Sequence, residues 1–141
     1  MRKRQFTLYL ENKPGVLAKI TDRLGDARVN IEGISVANSS DVALVQMVVS
    51  NAAAARRIFK NMNIAFTVQD VVLVPLTNRP GSLARVAERL AEAKININYV
   101  YATACDCSTE CACSCYAVIS APDLDRVEAA LRKLIPGKKK S

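Results

Sequence analysis

The sequence predicts an α+β fold of two βαββαβ units in tandem, the second without an evident fourth strand. Three observations predict it. A motif of about twenty residues occurs twice, with its copies about 66 residues apart. Each copy sits between a short alternating segment and an apolar helical stripe. Each helix then leads into segments rich in β-branched residues.

The repeat is read directly. Glu11-Asn12-Lys13-Pro14-Gly15-Val16-Leu17-Ala18-Lys19-Ile20 is answered by Thr77-Asn78-Arg79-Pro80-Gly81-Ser82-Leu83-Ala84-Arg85-Val86. Ala27-Arg28-Val29-Asn30-Ile31 is answered by Ala93-Lys94-Ile95-Asn96-Ile97. About half of these positions are identical and most others are conservative swaps. The predicted domains are 1–69 and 70–141.

The elements follow in order. Phe6 to Leu10 and Val71 to Leu76 alternate as strands, and Pro-Gly ends each one. Leu17, Ile20, Leu24 and Ala27 recur at helical spacing, as do Leu83, Val86, Leu90 and Ala93. Ile31 to Ala37 and Val42 to Val49 read as a hairpin around Asn38-Ser39-Ser40-Asp41. A second helix is expected from near Asn51 to Met62, and its counterpart from Pro122-Asp123 to about Leu134. Ile64 to Gln69 forms a strand that runs straight into the next unit. This order is the ferredoxin-like plan, a four-stranded antiparallel sheet under two helices. After Leu134 come Ile135-Pro136-Gly137 and lysines, so the first strand of the second unit is expected as a bare edge. Pro75 inside that strand agrees, because proline lacks the N–H of an interior strand.

Composition narrows the function. The net charge of +7 comes from 20 basic and 13 acidic residues. Much of the excess lies in Arg2-Lys3-Arg4 and Lys138-Lys139-Lys140, two tails on a nearly neutral body. Tails hold phosphate weakly, whereas a dedicated nucleic-acid surface carries a basic stripe with exposed aromatics. No specific nucleic-acid partner is expected. No apolar run reaches the roughly 18 residues of a membrane span, and no signal peptide is evident. The expectation is a cytoplasmic protein without a membrane partner. The absence of histidine removes the commonest general base and the Ser-His and Cys-His nucleophile pairs. No constellation supports an enzyme.

The repeated motif resembles that of the ACT domain family. It is carried by Glu11-Asn12-Lys13-Pro14-Gly15-Val16-Leu17 with Val29-Asn30-Ile31, and by Asn78-Arg79-Pro80-Gly81-Ser82-Leu83 with Ile95-Asn96-Ile97. The resemblance implies a non-enzymatic regulatory module that senses a small amino acid and controls amino-acid metabolism. It also implies association, since such units place two copies side by side with ligands between them. A homodimer is expected. A regulatory partner of a biosynthetic enzyme such as acetolactate synthase is the alternative reading.

The chemistry of the motif is legible beside the resemblance. Glycine permits unusual backbone angles and close approach by a ligand. The following helix points free N–H groups and a positive dipole into the turn, which suits a carboxylate. Asparagine offers both donor and acceptor. The expected ligand-binding residues are Asn12, Pro14, Gly15, Val16, Leu17, Asn30 and Ile31, with Asn78, Pro80, Gly81, Ser82, Leu83, Asn96 and Ile97. Asn30 and Asn96 open the second strand of each unit and are expected close to the first-helix region. In the similar serine-binding domain of phosphoglycerate dehydrogenases, a histidine two positions before the loop asparagine also contributes. Leu10 and Leu76 stand there in this chain, which favours an apolar ligand.

The sequence demands no cofactor. The one candidate is a soft metal ion at Cys105, Cys107, Cys111, Cys113 and Cys115, all crowded into the segment that replaces the hairpin turn of the first unit. The alternative for this segment is a redox switch, and the odd count leaves at least one thiol outside intramolecular pairing.

Overall fold

The computed structural model describes residues 1–103 and 114–135. Its elements are β1 (Arg2–Glu11), α1 (Val16–Asp26), β2 (Ile31–Ser39), β3 (Val42–Val49), α2 (Ala52–Asn61), β4 (Ala65–Thr77), α3 (Ser82–Glu92), β5 (Tyr99–Ala102), β6 (Ser114–Ser120) and α4 (Leu124–Ala130). The chain divides into two compact units, one of Arg4–Gln69 and one of Met1–Lys3 with Asp70 and the residues after it. Both are ferredoxin-like.

In the unit of Arg4–Gln69 the sheet order is β2-β3-β1-β4. β3 is antiparallel to both neighbours, with Leu8 opposite Val45 and Val45 opposite Val36. Alternation on β1 sends Phe6, Leu8 and Leu10 to one face, where Val45 and Met47 of β3 join them. Ile20 and Leu24 of α1 and Ala55 and Phe59 of α2 close that core from above. Phe6 meets Phe59 edge-on at 5.2 Å, and Phe66 lies 5.7 and 5.9 Å from the two. Such offset aromatic pairs add to the area they bury. Helix α2 starts at Asn51, whose side chain accepts the Ala54 N–H at 3.0 Å.

The second unit repeats the plan with β4-β6-β5. Val72 and Val74 of β4 and Ala117 and Ile119 of β6 pack with Val86 and Leu90 of α3 and Val127 of α4. Helix α4 begins at Leu124, so the expected opening at Pro122-Asp123 lies ahead of its first turn. Asp123 is its N-cap, accepting the Arg126 N–H at 3.0 Å, and Pro122 precedes the helix. It also ends early, and the chain turns through Leu131 to Leu134 instead of continuing the helix.

Among the described residues no strand follows α4, yet the first strand of this unit is not a bare edge. Met1 N–H donates to Leu73 O at 2.9 Å, and Leu73 N–H donates to Met1 O at 2.7 Å. Met1–Lys3 thus lies where the missing strand would be. Arg2 fixes it to α4 through Asp125 at 2.6 Å and Glu128 at 2.9 Å. The rest of that edge is closed differently. Because Leu73 N–H points away from β6, alternation turns the amide positions of 75 and 77 the same way. Pro75 has no N–H there, and Thr77 N–H donates to Ser82 Oγ at 3.1 Å. Pro75 therefore costs the β4–β6 ladder no hydrogen bond.

Candidate functional site

The duplicated Asn-x-Pro-Gly segment builds the same turn twice. Gly15 and Gly81 are left-handed, at φ 87° and 83°, and each is the N-cap of the helix that follows. A Cβ on either would meet nothing within 4 Å, so glycine is needed for its backbone angle, and the space above it is open. No side chain caps α1 or α3. Their ladders start with Lys19 N–H to Gly15 O at 3.0 Å and Arg85 N–H to Gly81 O at 3.1 Å. The amides of Leu17 and Ala18, and of Leu83 and Ala84, lie ahead of those ladders. Free donors and the helix dipole make each turn attractive to an anion.

In the first unit the turn borders an open hollow of about 350 Å³ lined by Glu11, Asn12, Lys13, Ser40 and Asp41. Asn12 N–H donates to Asp41 O at 3.1 Å, tying the strand-to-helix turn to the β2–β3 turn. Lys13 Nζ stands 3.0 Å from Glu11 Oε2, both side chains largely exposed. Besides conservative swaps such as Lys13 to Arg79, the second unit changes the chemistry of the turn at two positions. Thr77 replaces Glu11, and Ser82 replaces Val16. Ser82 Oγ accepts from Thr77 N–H at 3.1 Å and lies 3.3 Å from Thr77 Oγ1, and Ser82 is buried.

Asn30 is not brought to this turn within its own unit. α1 carries the chain from the turn to the far end of the sheet, where β2 begins. Ile31 pairs with Val49 at that end, while Glu11 and Ser39 both lie opposite Val42 at the other. The eight residues of β3 separate the two ends, about 25 Å at the usual strand rise. One small ligand cannot touch Asn12 and Asn30 of the same unit. The main chain of Asn30 is held by Ser50, through N–H to Ser50 Oγ at 2.9 Å and Ser50 N–H to Asn30 O at 2.9 Å. Asn96 and Ile97 follow α3 in the same way and precede β5 rather than opening it.

Apolar side chains surround these positions. Val16, Leu17 and Ile31 pack against the first core while remaining partly open. Leu83 and Ile97 are exposed. Three residues escaped the sequence reading. Ile34 and Val36 share the helix-side face of edge strand β2, opposite Met47 and Val45, and Val100 holds the place of Ile34 in the second unit. All three are exposed. Their alternation marked them as strand residues, but their edge position depends on sheet order.

Cys105, Cys107, Cys111 and Cys113, expected as soft-metal ligands, lie outside the described residues. Cys115 is in β6 opposite Leu76 and is disulfide-bonded. Among the described residues no three His, Cys, Asp or Glu side chains gather as a metal site. No helix among them is long and apolar enough to cross a membrane.

Comparison with known proteins agrees with this geometry. The structure resembles that of protein BT0572 from Bacteroides thetaiotaomicron, at 27% identity and a TM-score of 0.82, covering 94% of this chain and 88% of that one. It also resembles the regulatory subunit of aspartate kinase from Thermus thermophilus in its ligand-free form, at 14% identity and a TM-score of 0.64, covering 96% and 93%. The corresponding subunit from Thermus flavus is 18% identical with a TM-score of 0.57, covering 94% and 90%. The two kinase subunits, at such low identity, speak to the fold alone. Curated protein sequences give no match. The family described as the ACT domain pair matches residues 1–107, and the chain belongs to that family.

Proposed function

We propose that this chain is a non-enzymatic regulatory module that binds a small apolar amino acid at its strand-to-helix turns and so controls a step of amino-acid metabolism. The observation that carries the reading is the uncapped N-terminus of α1 behind left-handed Gly15, beside the hollow of Asn12, Lys13 and Asp41. The ligand carboxylate takes the amides of Leu17 and Ala18, with Lys13 as counter-ion. The apolar side chain rests on Leu17.

The separation of Asn12 from Asn30 supports a site completed by a second copy of the chain. If two β2 edges pair antiparallel, Ile31 of one copy comes opposite Ser39 of the other. Asn30 and Ile31 then stand beside the Asn12 turn of the other copy. Exposed Ile34 and Val36 on that edge favour burial in such a homodimer. The module acts in the cytoplasm on a metabolic enzyme.

The test is a thermal-shift screen of the twenty amino acids. An apolar one raises the unfolding temperature more than serine does, with about 2.7 kcal/mol of stabilisation at a hundredfold excess over Kd. Asn12→Ala reduces the shift. If no amino acid shifts unfolding or binds by calorimetry at millimolar concentration, the reading fails.

A further inference from the structure

The two turns look alike in sequence, but their side chains offer different chemistry. We infer that amino-acid recognition is confined to the first unit, where Glu11 receives the ligand ammonium, and that Thr77 and Ser82 make the second turn a structural brace. This rests on the amino-acid-binding reading above and narrows it to one site per chain.

A free amino acid carries a carboxylate and an ammonium, and both must be matched when they leave water. Both turns supply amides for the carboxylate, so the ammonium decides. The first hollow holds two acidic residues, Glu11 and Asp41. Glu11 is paired with Lys13 at 3.0 Å, with side chains 72% and 70% exposed. An ion pair so open to water contributes little and separates easily. A ligand ammonium can therefore replace Lys13 on Glu11, and the released Lys13 can turn to the carboxylate. Lys13 thus stands on Glu11 where the ligand ammonium would be.

At the position that matches Glu11 the second turn carries the neutral Thr77. Its hydroxyl is committed elsewhere, 3.3 Å from Ser82 Oγ. Ser82 also takes the Thr77 amide, so one buried hydroxyl staples the end of β4 to the first residue of α3. Val16 at the matching place in the first unit cannot form that link. The first turn is thus left to a ligand, whereas the second is held by its own side chains.

Calorimetry with the wild-type chain and the amino acid that gives the largest thermal shift should show one equivalent bound per chain. Glu11→Gln, which keeps the shape and removes the charge, should weaken binding about tenfold or more. The N-acetyl derivative of the same amino acid, which lacks the ammonium, should not compete. Glu11 is exposed, so an unchanged unfolding midpoint in the absence of ligand verifies that the variant is folded. The double variant Thr77→Glu with Ser82→Val should gain a second equivalent. Two equivalents in the wild type, or unchanged affinity in Glu11→Gln, would overturn the confinement while leaving amino-acid binding standing. Absence of binding by every amino acid would overturn both.

Discussion

Arg28 and Lys94 occupy the same left-handed backbone position one repeat apart, at φ 55° and 53°. Arg28 N–H donates to Gly25 O and the next amide, of Val29, to Leu24 O, both at 2.9 Å. Lys94 and Ile95 repeat the pattern onto Ala91 and Leu90, and Asn63 and Ile64 onto Lys60 and Phe59. Paired bonds of this kind close a helix, usually around glycine. A Cβ in this region carries a steric cost, which asparagine tolerates better. Arg28→Gly and Lys94→Gly should each stabilise the protein by about 1 kcal/mol, and Asn63→Gly by less. Urea unfolding with unchanged slope is the measurement, and destabilisation by either substitution would contradict the assignment.

Phe59 is fully buried between Phe6 and Phe66. Phe59→Ala should cost roughly 3–5 kcal/mol through lost burial and the cavity left behind. Phe59→Leu should cost far less. Equal losses in denaturant titrations would show that the ring geometry, not its volume, governs this core.

Tyr101 has its phenol pushed well above the usual range, first by burial and then by the neighbouring charge of Tyr99. The fold favours the protonated form. Its contribution to stability is therefore full below the ordinary tyrosine pKa of about 10 and declines as pH rises above it. Tyr101→Phe should flatten the alkaline part of the stability curve. Phenolate absorbance should show one tyrosine ionising only as the protein unfolds. If all four titrate together in the folded protein, the assignment is wrong.

A site shared between copies makes a prediction for mixtures. Asn12→Ala and Asn30→Ala chains should each bind poorly alone. Mixed and refolded together, half of the dimers pair one with the other, and each of these contains one intact site. About a quarter of the wild-type capacity should return. No recovery would place both asparagines in separate roles.

Much of this architecture is legible in the repeat. Leu17, Ile20 and Leu24 announce α1, and Gly15 announces the turn, because both depend on neighbours within a few residues. Other features depend on distant partners. Met1–Lys3 reads as a basic tail, and only Leu73 makes it a strand. Asn12 and Asn30 seem close in sequence, but the helix between them carries the chain the length of the sheet. Ser82 reads as a ligand-binding position like Val16, because the sequence does not show that its hydroxyl folds back onto Thr77. The turn itself was visible, but the inequality of its two copies was not.

The closed edge of β4 bears on how the chain survives at high concentration. A strand with a row of free amides is a template on which misfolded copies can grow into ordered aggregates. Here three successive outward positions are disposed of by three unrelated means: a backbone partner at Leu73, an imino acid at Pro75 and a serine hydroxyl at Thr77. No single substitution restores the row. Replacing Pro75 frees one amide between two satisfied neighbours, and replacing Ser82 frees one at the strand end. The protection is redundant, so resistance to aggregation along this edge should outlast mutations that erode the stability of the unit itself.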